Sequence, residues 1–243
     1  MDISTLFSLK NEQSELKVDL NGGRIVELKL KNRLILGAYD RLDGKKGSTH
    51  LCLPNFQDEG ENFGLPFHGP ARNSLWTLVS SPPNSLEIEY LLKDFANYPA
   101  NLKTTQIFTL SPSWFSQSIL IENIGTKTAP LNLAAHYYWD TPNSWKGLLI
   151  NNQKTTEKVI DNGIVELKDK NEIVFPGQKP IILQQQGFAM AKLWTTATPD
   201  KKQFDHSFVC IEPLRGIDRF FGSAESLLQP KQKLTADLKI SLL

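Results

Sequence analysis

Two cysteines, two methionines and four histidines are all that 243 residues carry of the side chains that build disulfide frameworks and soft-metal sites. Cys52 and Cys210 each stand in an apolar stretch, THLCLP and SFVCIEP. A chain of this length can bury a core without staples, so both read as buried free thiols in a reducing compartment. The histidines and cysteines show no metal-ligand spacing, and neither a metal nor an organic cofactor is expected. Charge of one sign is equally lacking. Lys plus Arg number 27 against 26 acidic residues, which advertises neither nucleic acid nor a membrane surface as partner. No apolar run approaches the roughly 20 residues that span a bilayer. The opening MDISTLFSLKNEQSEL has neither the basic nor the apolar region of a signal peptide, and a cytoplasmic location is the expectation. Long helices are disfavoured too: 14 prolines are spread along the chain, and no segment keeps a helical period beyond about three turns.

What the sequence does contain is strand after strand. IVELKLKNRLIL (25–36), LEIEYLL (86–92), LKTTQIFTL (102–110) and WFSQSILIEN (114–123) are rich in β-branched and aromatic residues and bounded by turn formers. LEIEYLL places Leu86, Ile88, Tyr90 and Leu92 on one face and Glu87 and Glu89 on the other, the pattern of a half-buried strand. Turns are marked by Asn21-Gly22-Gly23, SSPPNS at 80–85, Asp161-Asn162-Gly163 and Phe175-Pro176-Gly177. Gln184–Gln186 is a short polar run placed in a strand or turn. With 40% hydrophobic residues and neither linker nor repeat, the chain reads as a single all-β domain over 1–243, an antiparallel sandwich or barrel.

Three islands interrupt this background. LPNFQDEGENFGLPFHGPARNSLW (53–76) is a polar, Gly- and Pro-punctuated loop, of a length uncommon in a compact domain unless it serves a site. It carries Asn55 and sets the His68 imidazole close to the Arg72 guanidinium, both able to donate to hydroxyl oxygens. LNLAAHYYWDTP (131–142) leads through an apolar strand to His136, three aromatics and Asp140. Imidazole beside aromatic faces suits a sugar, whose C–H groups pack on rings while its hydroxyls meet polar tips; a core histidine satisfied by a backbone carbonyl is the plainer alternative. In HSFVCIEPLRG (206–216), alternation puts Glu212 on the face of Cys210 and Phe208. Partial burial there would raise its pKa toward the range of a general base.

The order of these elements resembles the aldose 1-epimerase family over most of the chain. Asn21-Gly22-Gly23-Arg24-Ile25-Val26 looks like the family's opening strand. PNFQDEG, the His-Gly-x-x-Arg element at 68–72, the histidine followed by aromatics at 136–139, the Leu193-Trp194 strand and Cys-Ile-Glu-Pro at 210–213 follow in order. The close, LLQPKQKLTADLKISL, is similar to the family's terminal strand with Lys231 in place of a glycine. The resemblance implies an antiparallel β-sandwich of the galactose mutarotase type with the site on a concave sheet. It further implies interconversion of the α and β anomers of a free hexose, with His136 as general acid and Glu212 as general base. His68, Arg72 and Asn55 would orient the sugar, the partner would be that small molecule alone, and the protein would be a monomer or homodimer. The stretch from about 143 to 190 looks short for the family, and for the acidic substrate-binding residue carried there by many members Asp161 is the nearest candidate and Asp140 a weaker one. Two other readings stay open: a hexose-6-phosphate 1-epimerase, for which Lys146, Arg215 and Arg219 are available cations, and a non-catalytic carbohydrate-binding protein.

Overall fold

A computed structural model describes residues 5–161, 163–198, 200, 202–217 and 219–243; Asn162, in the turn read at 161–163, lies outside them. The all-β, antiparallel expectation holds. Two nine-stranded sheets face each other, and the helical pieces among the described residues are single turns such as Glu157–Ile160.

The back sheet is the regular one. Its centre is formed by Lys233–Leu242, Trp114–Asn123, Leu102–Leu110 and Ser85–Leu92, each antiparallel to the next. Trp114–Asn123 alternates strictly between half-buried and buried side chains over its whole length, the burial signature of a sheet wet on one face and packed on the other. Leu86, Ile88, Tyr90 and Leu92 are buried as their alternation requires. The Gln184–Gln186 run completes the strand Ile181–Gln186. The segment 25–36, by contrast, is two strands, Arg24–Leu30 and Arg33–Leu36. Lys31 and Asn32 adopt φ of 50° and 62° and turn the chain back on itself as a tight hairpin.

The second sheet positions the site. At its centre Ala134–Asp140 pairs with Phe208–Leu214, which pairs with Met190–Trp194. On its other side Ala134–Asp140 pairs with His50–Cys52. Every residue of Phe208–Leu214 is buried, and so are the first six of Ala134–Asp140, because both faces are covered. Ala135, Tyr137, Trp139, Val209 and Ile211 point into the core between the sheets. His136, Tyr138, Cys210 and Glu212 point the other way, under the 53–76 loop and the hairpin made by Tyr39–Asp40 and Lys46–Gly47.

The loop follows that face closely. Gly69 has φ of 72°, and a Cβ there would lie 1.9 Å from the Leu53 carbonyl oxygen, so only glycine permits the approach. Trp76 closes the segment, its indole Nε1 donating to the Ala71 carbonyl at 3.0 Å.

One polar chain crosses the interior between the sheets. The Tyr137 hydroxyl donates to Gln117 Oε1, Gln117 Nε2 donates to Gln106 Oε1 at 2.6 Å, and Gln106 Nε2 donates to the Gly23 carbonyl at 3.2 Å. All three side chains are buried, so removing one donor strands its acceptor away from water. Tyr137→Phe is therefore expected to lower stability by about 1–3 kcal/mol, read in urea or thermal unfolding; a loss within experimental error would show that the network adds nothing.

Candidate active site

The paired strands bring one side chain from each of four neighbours into a row across the sheet. His50 is the register partner of His136, and Lys192 that of Glu212. His136 and Glu212 stand between them on adjacent strands, Nε2 to Oε1 3.4 Å apart. His136, Glu212 and Lys192 of this row line an open cleft of about 310 Å³, within the span of roughly 300–1,000 Å³ usual for small-molecule sites; His50 lies outside that lining.

His68 and Arg72 form one wall, and both face the cleft. The His68 ring lies 5.4 Å from that of His136 and perpendicular to it. Its Nδ1 accepts the Gln57 amide N–H at 3.0 Å, so the neutral ring carries its proton on Nε2. Burial, and then the Arg72 charge, hold the His68 pKa down at about 3, which keeps the ring neutral at every pH of interest. Arg72 sits in the single turn Ala71–Asn73, with its carbonyl fixed by the Arg24 guanidinium at 2.6 Å. Phe56, Phe67, Tyr138 and Trp194 supply apolar surface around these polar groups.

The sequence does not single out His50, because nothing local separates it from an ordinary histidine in an apolar strand. In the fold its ring stacks on that of His136, centroids 4.7 Å apart. Its Nδ1 lies 2.8 Å from the Ser48 carbonyl oxygen, a contact that only a protonated Nδ1 can make as a hydrogen bond. Its Nε2 is then a bare acceptor, buried without a partner in the protein. The Tyr138 ring also stacks with that of His136, centroids 5.0 Å apart. Three of the four histidines thus converge, while His206 stacks on Trp145 outside the cleft lining.

Burial dominates the electrostatics of the pair. It raises the Glu212 carboxyl to about 8, against smaller opposing effects of Lys192 and Arg72. It also lowers His136 well below the usual imidazole value, an effect reinforced by His50, His68 and the two arginines Arg72 and Arg41. Near neutrality these shifts leave the pair one exchangeable proton, favoured on the carboxyl. Cys210 Sγ and ligand atoms of His136 and Glu212 lie within 4.8 Å of one another. Burial keeps this thiol protonated as well, and a cation would have to strip both protons against the field of Arg72 and Lys192.

The other residues singled out from the sequence lie elsewhere. Asn55 is fully buried, donating to the carbonyls of Gln57 and Pro66 at 2.8 and 3.2 Å; it pins the loop from behind rather than lining the cleft. Asp161 caps the turn Glu157–Ile160, and Asp140 accepts the Tyr39 hydroxyl at 2.8 Å. Neither faces the pair, so Glu212 is the one carboxyl among the described lining residues. Lys146 pairs with Glu157 at 3.0 Å, and Arg215 binds the carbonyls of Leu131 and Glu225. These two cations and Arg219 are absent from the lining, whereas Arg41, Lys45 and Lys192 belong to it.

Comparison with known proteins agrees with this geometry at the level of fold and family. No curated protein sequence matches the chain. Among solved structures, a galactose mutarotase related enzyme from Lactobacillus acidophilus superposes with a TM-score of 0.82 at 13% identity, covering 98% of this chain and 97% of that one. A galactose mutarotase-like protein from Lactobacillus casei gives 0.79 at 13% identity, covering 98% and 100%. A third, the galactose mutarotase-like protein from Clostridium acetobutylicum, gives 0.75 at 15% identity, covering 98% and 95%. Identities this low establish shared architecture alone, but the aldose 1-epimerase family model matches residues 5–217, and the chain belongs to that family.

Proposed function

We propose that the protein interconverts the α and β anomers of an aldose by acid–base ring opening in this cleft. The observation that carries the reading is the buried His136–Glu212 pair, 3.4 Å apart and open to a sugar-sized space. Anomers exchange when one group removes the C1 hydroxyl proton while another protonates the ring oxygen. The C1–O bond of the ring then breaks and leaves an open-chain aldehyde. Rotation about C1–C2 presents the other carbonyl face, and the ring closes with the proton movements reversed. Such a reaction needs a partner pair holding one mobile proton, with no net gain or loss over the cycle.

Burial favours that proton on Glu212. For His136 to act as acid and Glu212 as base, it must cross to the imidazole when sugar binds. Hydroxyls donating to the carboxylate favour its charged form, and Lys192 and Arg72 already bias it that way. Arg72 and His136, which both line the cleft, carry buried polar atoms without protein partners, Arg72 Nε and His136 Nδ1, and a polyhydroxylated ligand offers both donors and acceptors. His68 Nε2 adds a fixed neutral donor, and the aromatic walls hold the ring in register for transfer.

The deciding measurement is polarimetric relaxation of freshly dissolved α-glucose and α-galactose. Wild type should accelerate it, and Glu212→Gln should lose at least about 100-fold of that rate, the scale of one acid–base catalyst. Sugar binding without acceleration would make the protein a carbohydrate binder instead. The same substitution should stabilise the fold. The Glu212 pKa is raised on folding from 4.5 to about 8, so the folded state retains a proton that the unfolded chain releases, and stability falls as pH rises between those values. Glu212→Gln escapes that loss, and its Tm advantage over wild type should widen from pH 5 to pH 8; a constant gap would contradict the shifted carboxyl.

Loss of the shared proton above pH of about 8 should also make kcat/KM decline on the alkaline side, since that ratio reports the free enzyme. Arg72→Ala is expected to raise KM by about tenfold while lowering kcat less; the reverse split would assign Arg72 to the chemical step.

A further inference from the structure

Charge around the cleft is one-sided, although that of the whole chain is balanced. Arg41, Lys45, Arg72 and Lys192 line it with Glu212 as the single described carboxyl, and burial holds that carboxyl toward its neutral form. A neutral hexose presents hydroxyls, which need acceptors as well as donors, whereas ammonium and guanidinium groups are donors only.

Three of these cations gather on one wall, across the floor from His68. Lys192 and Trp194 are two apart on the strand Met190–Trp194, so both face the cleft. The Arg41 guanidinium lies over the Trp194 ring, 4.8 Å from its centroid, while its Nε donates to Thr196 Oγ1 at 3.1 Å. Asp43 answers the Arg41 charge at 2.5 Å. Lys45 sits opposite Arg41 in the same tight turn, its carbonyl accepting the Arg41 N–H at 2.8 Å. Neither Lys45 nor Lys192 has a carboxylate within ion-pair distance among the described residues. Lys192 is half-buried and register partner to Glu212, yet the carboxyl turns to His136 instead. A partly desolvated ammonium without a counter-charge is costly, and an incoming anion relieves that cost.

We propose that this wall is an anion subsite, in which Lys45 and Lys192, backed by Arg41, hold an oxyanion substituent of an aldose whose C1 lies over His136 and Glu212. The inference rests on the epimerase reading for the position of C1 and adds the class of substrate. Lys45 is exposed at the mouth while the pair is buried at the floor, so the substituent sits at the end of the sugar remote from C1. A phosphate ester and a carboxylate are the two sources of that oxyanion.

The test compares glucose, glucose 6-phosphate and glucuronate by exchange NMR of the anomeric signals, with binding measured by calorimetry. At low salt, wild type should favour one of the anionic sugars over glucose by about tenfold or more in kcat/KM and in affinity, the scale of hydrogen bonds to a charged group. Whichever anion is preferred identifies the substituent. The preference should shrink with added salt as screening sets in, and inorganic phosphate should compete. In the Lys45→Gln/Lys192→Gln double variant the anionic-to-neutral ratio should fall to within about twofold. Lys45→Gln alone alters only an exposed turn and should give a partial fall in a fully folded protein. Equal or better handling of glucose by wild type, or a preference that survives the double variant, overturns the subsite. Tight binding of an anionic sugar without faster anomer exchange keeps the subsite and overturns the epimerase reading. Acceleration indifferent to charge does the opposite, and neither binding nor acceleration of any probe overturns both.

Discussion

Burying a carboxyl beside an imidazole is unfavourable, and the backbone ladder joining Ala134–Asp140, Phe208–Leu214 and their neighbours is what holds the two groups there. Neither group can escape to solvent by a rotamer change, because the strand that carries it is packed on its far side by Tyr137, Trp139, Val209 and Ile211. The core between the sheets thus stabilises the fold and confines the pair at once. Desolvation then sets the proton affinities of both partners, and the surrounding cations modulate them. Everything proposed for the chemistry follows from this confinement, since a pair free to hydrate would revert to an ordinary carboxylate and an ordinary histidine.

The cations and the aromatic walls belong to a second layer of construction, hung on the same sheet. The 53–76 loop closes over one side, anchored by Asn55 behind it and by the close approach at Gly69. The hairpin bearing Arg41 and Lys45 leans over the other, with Tyr39 stacked on Phe208 at 5.1 Å and Arg41 on Trp194. The two walls differ in character. One presents a neutral imidazole and a single guanidinium, the other a concentration of positive charge, and under the proposed function this asymmetry would give a sugar a direction as well as a place.

Strand content was legible because alternation is a local property: Leu102–Leu110 and Trp114–Asn123 carry the bounds read from their residues. The hairpin at Lys31-Asn32 was not, since neither residue is a glycine and only the finished turn displays the positive φ angles. Parity along Phe208–Leu214 placed Glu212 with Cys210 and Phe208, and the structure keeps them together. That face, however, is not the main core but the covered floor of the cleft. Asn55 and Asp161, candidates for sugar contact in the sequence, lie outside the cleft lining. Polar residues in a functional loop or turn look alike in sequence whether they face the ligand or tie down the backbone.

The sequence by itself determined the all-β class, the strand faces and the family, and it nominated His68, Arg72, His136 and Glu212 as candidates, because each rests on local periodicity or on the order of short motifs along the chain. Only the tertiary structure decided that His50 stacks on His136 and that the pair meets at 3.4 Å. It alone decided that Arg41, Lys45 and Lys192, rather than Lys146, Arg215 and Arg219, face the cleft. Those facts depend on the register of strands far apart in the chain and on which way two loops fold across a sheet, and no local pattern of side chains encodes either.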